Sequence, residues 1–147
     1  MSNGKPVNET MTKFGYPATT VAEYEHWVVL LRPKQATLGA LVLACNEEAT
    51  AFGDASPEAF VELRAACRDI ERALDATFAP DKLNYLMLRM IDPHAHFHVL
   101  PRYDTPKTFA GVEFTDPGWP GPPNLGSAAA TDEAAFAKIL TTLKTAW

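Results

Sequence analysis

Short unbroken apolar runs and longer stretches of helical periodicity take turns along this chain. Trp27-Val28-Val29-Leu30-Leu31 is apolar, partly β-branched and stopped by Arg32-Pro33, which predicts a buried strand. Leu38 to Ala44 predicts a second strand after a short polar turn, and a two-turn helix is expected from about Glu47 to Phe52. The strongest helical signal runs from Ser56 to Phe78. Ser56 is a good N-cap, Pro57 sits where a missing N–H costs nothing, and Glu58 suits the positive end of the dipole. Phe60, Leu63, Cys67, Ile70 and Leu74 recur at three- and four-residue spacing and predict its apolar stripe, and Pro80 ends it.

Leu83 to Ile91 predicts a further strand, broken by Asp92-Pro93. The strand that follows is expected to be its antiparallel neighbour, because a parallel pair needs a crossover of a dozen residues or more. Residues 104–130 are expected to be irregular, around Asp116-Pro117-Gly118-Trp119-Pro120-Gly121-Pro122-Pro123. Trp119 there suggests docking onto the body of the protein, a partner subunit or a substrate base. A last helix is predicted from Thr131 to Trp147, with Phe136, Ile139, Leu140, Leu143 and Trp147 as its stripe. Residues 1–12 read as a disordered or draped tail.

The strand after Pro93 carries the chemistry. His94-Ala95-His96-Phe97-His98 holds three of the four histidines, each separated by one apolar residue. Side chains of an extended strand alternate between faces, so the three imidazoles are expected along one face, with Ala95, Phe97 and Val99 against a core. His26, beside Trp27, reads as a surface or edge residue without a role.

At 147 residues the chain is long enough for one domain that buries roughly 68–70% of its unfolded surface. A net charge of −5 argues against non-specific binding to nucleic acid or anionic membrane. Yet Lys82, Arg89, Arg102 and Lys107 outnumber Asp92 and Asp104 around the histidines, which suits a small anionic ligand. Cys45 and Cys67 lie in apolar runs and read as buried, reduced thiols of a cytoplasmic protein. The first eight residues lack the apolar stretch of a signal peptide, and no run approaches the ~20 apolar residues that cross a bilayer.

A metal and a phosphate chain are the two ligands that such histidines could take. At ~3.3 Å per residue the Cα atoms of His94 and His98 would lie about 13 Å apart, so both could reach one ion only by leaning fully inward. Imidazoles spaced about 6–7 Å apart line an extended polyanion better. The middle one could attack phosphorus while its neighbours bind phosphate oxygens, provided an acceptor holds its other nitrogen as N–H.

His94-Ala95-His96-Phe97-His98-Val99-Leu100-Pro101-Arg102 resembles the signature of the histidine triad family, in which histidines alternate with hydrophobes and two more hydrophobes follow. The order of elements over residues 21–103, with Gly39 opening the second strand, is also similar. The resemblance implies an α+β fold: an antiparallel sheet of about five strands with one long and one C-terminal helix, helices on one face, in a homodimer. It further implies a nucleotide hydrolase or transferase without cofactor or metal, in which His96 is the nucleophile and His94 and His98 orient it and bind phosphate. Three positions depart from the family pattern. Residues 89–93 lack the Gly, Gln or Ser that often contacts the leaving group, which leaves Arg89 or Asp92 for that task. Ala40 stands where a fourth histidine is often found, and Arg32 is the polar residue nearest the usual ribose-binding position. Arg32 and Arg89 are thus the candidate substrate-binding residues. The expected organisation is a tail over 1–20, the domain over 21–103, and a Pro-rich loop and helix over 104–147 packed on the same domain. A non-catalytic nucleotide-binding module and a metal-dependent hydrolase are the alternatives.

Overall fold

The computed structural model describes residues 5–129 and 131–147. In chain order the elements are helix α1 (Glu9–Lys13), strands β1 (Thr20–Glu23), β2 (Trp27–Leu31) and β3 (Leu41–Cys45), helix α2 (Pro57–Thr77), strands β4 (Lys82–Leu86), β5 (His96–Arg102), β6 (Lys107–Phe109) and β7 (Val112–Phe114), and helix α3 (Glu133–Ala146). Five strands form one antiparallel sheet in the order β1-β2-β3-β5-β4. This is the expected α+β architecture.

Alternation along the inner strands sorts the sheet into two faces. Trp27, Val29 and Leu31 of β2, Leu41, Leu43 and Cys45 of β3 and Val99 of β5 point to one side, where Ile70 and Leu74 of α2 and Ile139 and Leu143 of α3 cover them. Trp27 is fully buried and its indole N–H donates to the Ala59 carbonyl at 2.7 Å. Helix α2 starts as predicted, with Ser56 Oγ accepting from the Ala59 amide. Its buried stripe differs from the expected one. Ala59, Ala66 and Ala73 lie against the sheet beside Ile70 and Leu74, and Phe60 turns out to 38% exposure. Alanines at seven-residue spacing let the helix approach closely, so they share its inner face with Ile70 and Leu74, and Leu63 and Cys67 pack at its edge.

Several other expectations are corrected. No helix forms over residues 47–52. Only a single tight 3₁₀ turn, Phe52–Asp54, is present, because this stretch is held by distant partners. The Glu47 carboxylate binds the Ser56 amide and hydroxyl and faces His26 Nδ1 at 3.1 Å, and the Ala49 carbonyl accepts from the Ala95 amide. The second strand begins at Leu41 and not at Leu38, since Gly39 adopts φ +86° and the Gln35 amide group ties the turn by bonding Arg32 O, Ala40 O and Gly39 N. Strand β4 stops at Leu86, five residues before the predicted end, and Arg89 beyond it takes a left-handed φ of +49°. Its antiparallel pairing with β5 is as expected, with Leu86 opposite His98. Within 104–130, expected to be irregular, β6 and β7 form a hairpin closed by Ala110-Gly111, both at positive φ as a two-residue turn requires.

The N-terminal stretch is not a bare tail. Residues 1–4 lie outside the described ones, and the rest drapes across the second face of the sheet. There Met11, Phe14 and Tyr16 cover Val28, Leu30, Val42 and Ala44. A short helix therefore sits on the face opposite α2 and α3.

The Pro-rich segment is moored by Arg102, whose guanidinium pairs with Asp116 at 2.7 and 3.1 Å and also donates to Asn84 Oδ1 and the Gly121 carbonyl. Both charged side chains are almost completely buried, at 5% and 0% exposure. Removing one partner of such a pair strands the other charge, at a cost of about 3–5 kcal/mol. Asp116→Ala is expected to lower unfolding free energy by that amount in urea titration, whereas Asp75→Ala, on the exposed face of α2, is expected to change it little.

Candidate active site

Strand β5 delivers His96 and His98 to the second face, the one that α1 crosses. Their ring centroids are 5.2 Å apart and meet edge to face, as side chains two apart on one strand should. His94 precedes the strand and does not belong to it. The reason is local. Its carbonyl accepts from His96 Nδ1 at 2.7 Å, so it is withdrawn from the sheet ladder, which starts instead around Ala95. With Nδ1 committed as a donor, a neutral His96 ring presents Nε2 as a lone pair.

The His94 ring is held at both nitrogens. Thr10 Oγ1 lies 3.0 Å from Nδ1, and Glu48 Oε1 lies 3.2 Å from Nε2. Phe14 packs against the other two rings, with its centroid 5.7 Å from that of His96 and 5.8 Å from that of His98. Lys13 pairs with Asp92 at 3.0 Å, which ties α1 to the loop before the triad. Asn8 caps α1 through Met11 N and donates to the Cys45 and Glu47 carbonyls, which fastens the strap at its start. Reading the first twelve residues as disordered or draped did not place Asn8 and Thr10 against the loops of the triad. The available signal was Asn8-Glu9, an N-cap with an acidic first turn, ahead of Met11 and Phe14.

His96 is 1% exposed, yet with His98 it lines a cavity of about 130 Å³ whose opposite wall is the loop Leu88–Asp92. Ligand pockets usually measure ~300–1,000 Å³, so this one has room for a group of phosphoryl size and not for a whole drug-sized molecule. Arg89 is exposed at its rim. Arg32 leaves β2 on the triad's face, is buried, and donates from Nη1 to the Lys34 carbonyl at 2.8 Å, while its Nε has no partner among the described residues. Burial pushes its pKa below the usual value. Both candidate substrate-binding arginines thus border the triad. Arg102 shares the face but is neutralised by Asp116. It lines a second cavity of about 470 Å³ with Lys82, Asn84 and the Trp119–Pro122 turn, so Trp119 docks beside the body of the protein. Among the described residues no three His, Cys, Asp or Glu side chains are grouped to hold a metal ion. Cys45 is buried as expected and its thiol pKa is pushed up to about 11, whereas Cys67 is only half-buried. No helix among the described residues is long and apolar enough to cross a membrane.

The electrostatics of His98 are distinctive. Burial first, then the Arg32 and His96 charges, lower its pKa from 6.5 to about 4, and its Nδ1 has no hydrogen-bond partner among the described residues. The unfolded chain therefore takes up a proton as pH falls through 6.5, while the folded chain refuses it until about 4. Stability contributed by a neutral His98 is complete above 6.5 and is lost between 6.5 and 4. An NMR titration is expected to find the ring neutral at pH 5, and His98→Gln is expected to flatten the fall in stability over that window in denaturant titrations at several pH values.

No protein-family sequence model matches the chain, and no curated protein sequence matches it. Its structure, however, is similar to solved ones. A histidine triad protein from Sinorhizobium meliloti gives a TM-score of 0.76 at 17% identity, covering 98% of each chain. A histidine triad protein from Marinobacter aquaeolei gives 0.74 at 19% identity, over 97% of this chain and 95% of that one. A hypothetical histidine triad nucleotide-binding protein from Sulfolobus tokodaii gives 0.65 at 14% identity, over 87% and 82%. A match over nearly the whole length, strap and C-terminal helix included, agrees with the motif at His94, His96 and His98: the chain has the histidine triad fold.

Proposed function

We propose that this protein is a nucleotide hydrolase or transferase acting at the α-phosphate of a dinucleoside polyphosphate or a nucleoside phosphoramidate. The observation that carries the reading is the 2.7 Å contact from His96 Nδ1 to the His94 carbonyl, on a ring that borders a phosphoryl-sized cavity. Nε2 attacks phosphorus. A nitrogen–phosphorus bond forms as the bond to the leaving group breaks, and the leaving group departs with that electron pair and gains a proton. Water, or an acceptor in a transferase, then attacks the nucleotidyl-histidine and returns His96 to its free state. Dividing one displacement into two is the advantage of covalent catalysis.

Other residues take supporting roles. His98, kept neutral, donates its one N–H to a phosphate oxygen without adding charge to its buried surroundings. Arg32 offers a buried guanidinium to a phosphate or ribose oxygen, and Arg89 reaches the leaving group from the rim, in place of the Gly, Gln or Ser absent from residues 89–93. The protein works on a small-molecule nucleotide, as a cytoplasmic homodimer, without a cofactor.

The test is intact-mass spectrometry during turnover with a panel of dinucleoside polyphosphates and nucleoside phosphoramidates. A transient adduct of one nucleoside monophosphate is expected, and its mass names the base. His96→Ala is expected to abolish both adduct and turnover while nucleotide binding, measured by calorimetry, survives. Undiminished turnover in His96→Ala overturns the mechanism. Tight nucleotide binding with neither adduct nor turnover in the unaltered chain makes the protein a binding module instead.

A further inference from the structure

We propose that Thr10, carried by the N-terminal strap, is a positioning residue of the triad: its hydroxyl donates to His94 Nδ1 and so anchors the residue whose backbone carbonyl holds the nucleophile. The inference rests on reading His96 as that nucleophile. Thr10 Oγ1 and His94 Nδ1 are 3.0 Å apart, and the two residues are buried at 1% and 8% exposure although 84 positions separate them in the chain. On the other side of the ring, Nε2 faces the Glu48 carboxylate at 3.2 Å. An ionised carboxylate only accepts, so Nε2 carries a proton. In the neutral ring Nδ1 is then the acceptor, and the Thr10 hydroxyl is its donor.

This arrangement matters for His96 because the same residue supplies two anchors. The His94 ring is clamped between Thr10 and Glu48, and its carbonyl receives His96 Nδ1–H at 2.7 Å. Anchoring the ring at both nitrogens restrains the His94 backbone, which lies outside the β5 strand and whose carbonyl fixes the nucleophile's tautomer. Glu48 cannot hold the ring alone, since its side chain is 78% exposed and free to swing, whereas Thr10 is packed beneath the strap. The strap itself is fixed at three further points: Asn8 on the Cys45 carbonyl, Lys13 on Asp92, and Phe14 against His96 and His98. Its first contact with the triad is thus rigid, as a positioning group must be.

Thr10→Val keeps the shape and removes the hydroxyl, and Thr10→Ser keeps the hydroxyl. With the full-length chain and the substrate found by the adduct screen, Thr10→Val is expected to lower kcat by about tenfold to a hundredfold, the scale of a displaced reacting group, with KM within about twofold. Thr10→Ser is expected to restore most of kcat. A raised KM at unchanged kcat, or equal loss in both variants, overturns the assignment. Imidazole ¹⁵N NMR gives a second readout that needs no turnover. In the unaltered chain His94 is expected to show an unprotonated Nδ1 that is hydrogen-bonded, and Thr10→Val to move that signal toward a free acceptor nitrogen. A protonated Nδ1 at neutral pH in the unaltered chain, or a signal indifferent to Thr10→Val, overturns it. If no substrate of the panel turns over, the hydrolase reading fails, and the nitrogen spectrum still decides whether Thr10 orders His94.

Discussion

The hydrogen bond from His96 Nδ1 to the His94 carbonyl, at 2.7 Å, is the contact on which the site is built. It takes a backbone acceptor away from the sheet and spends it on a side chain. That is why β5 starts at His96, why His94 lies outside the strand, and why the central ring has one orientation. A ring in this state has one nitrogen occupied by a proton and the other available to an electrophile. Everything around it keeps the two histidines still: Ala95 is bonded to Ala49 and Cys45, the His94 ring is bonded on both sides, and Phe14 packs against the rings of His96 and His98.

The sheet divides its duties by face. On one side Trp27, Val29, Leu31, Leu41, Leu43 and Val99 meet α2 and α3 in an apolar core. On the other, the apolar patch of Val28, Leu30, Val42 and Ala44 is covered by the strap, and the remainder carries histidines, arginines and Asn84. Polar groups on this second face are largely paired. Arg102 is bound to Asp116, Asn84 and Gly121, and His94 to Thr10 and Glu48. Among the described residues Arg32 Nε and His98 Nδ1 are two buried nitrogens without partners beside the triad, and the hydroxyls of Thr20 and Thr37 also lack one. Unsatisfied polar atoms are costly in a finished core and are found where a ligand completes the set.

Much of the scaffold was legible because its causes are local. The Ser56 cap with Pro57 and Glu58 placed the start of α2 correctly, and the apolar run of β2 needed no partner to be recognised. Of the α2 stripe, Ile70 and Leu74 are buried and Leu63 and Cys67 pack against the core as read, but Phe60 turns outward and the periodicity overlooks Ala59, Ala66 and Ala73, which the sheet accepts at close range. Residues 47–52 failed for a related reason: the Ala49 carbonyl accepts from Ala95, the Glu47 carbonyl from Asn8, and the Glu47 carboxylate is held by Ser56 and His26, partners outside any local window.

Taken alone, the chain determined the chemistry: three imidazoles alternating with hydrophobes, arginines near them, and an apolar pattern sufficient for an α+β sheet. Side-chain alternation in a strand and helical periodicity follow from backbone geometry, so they can be read from residue order. Tertiary structure alone decided that Asn8, Thr10, Lys13 and Phe14 belong to the site, that Arg102 is neutralised by Asp116 while Arg32 has no carboxylate within ion-pair distance among the described residues, and that His98 resists protonation. Those properties depend on distances between residues dozens of positions apart and on exclusion of water, and both exist only once the chain has closed on itself.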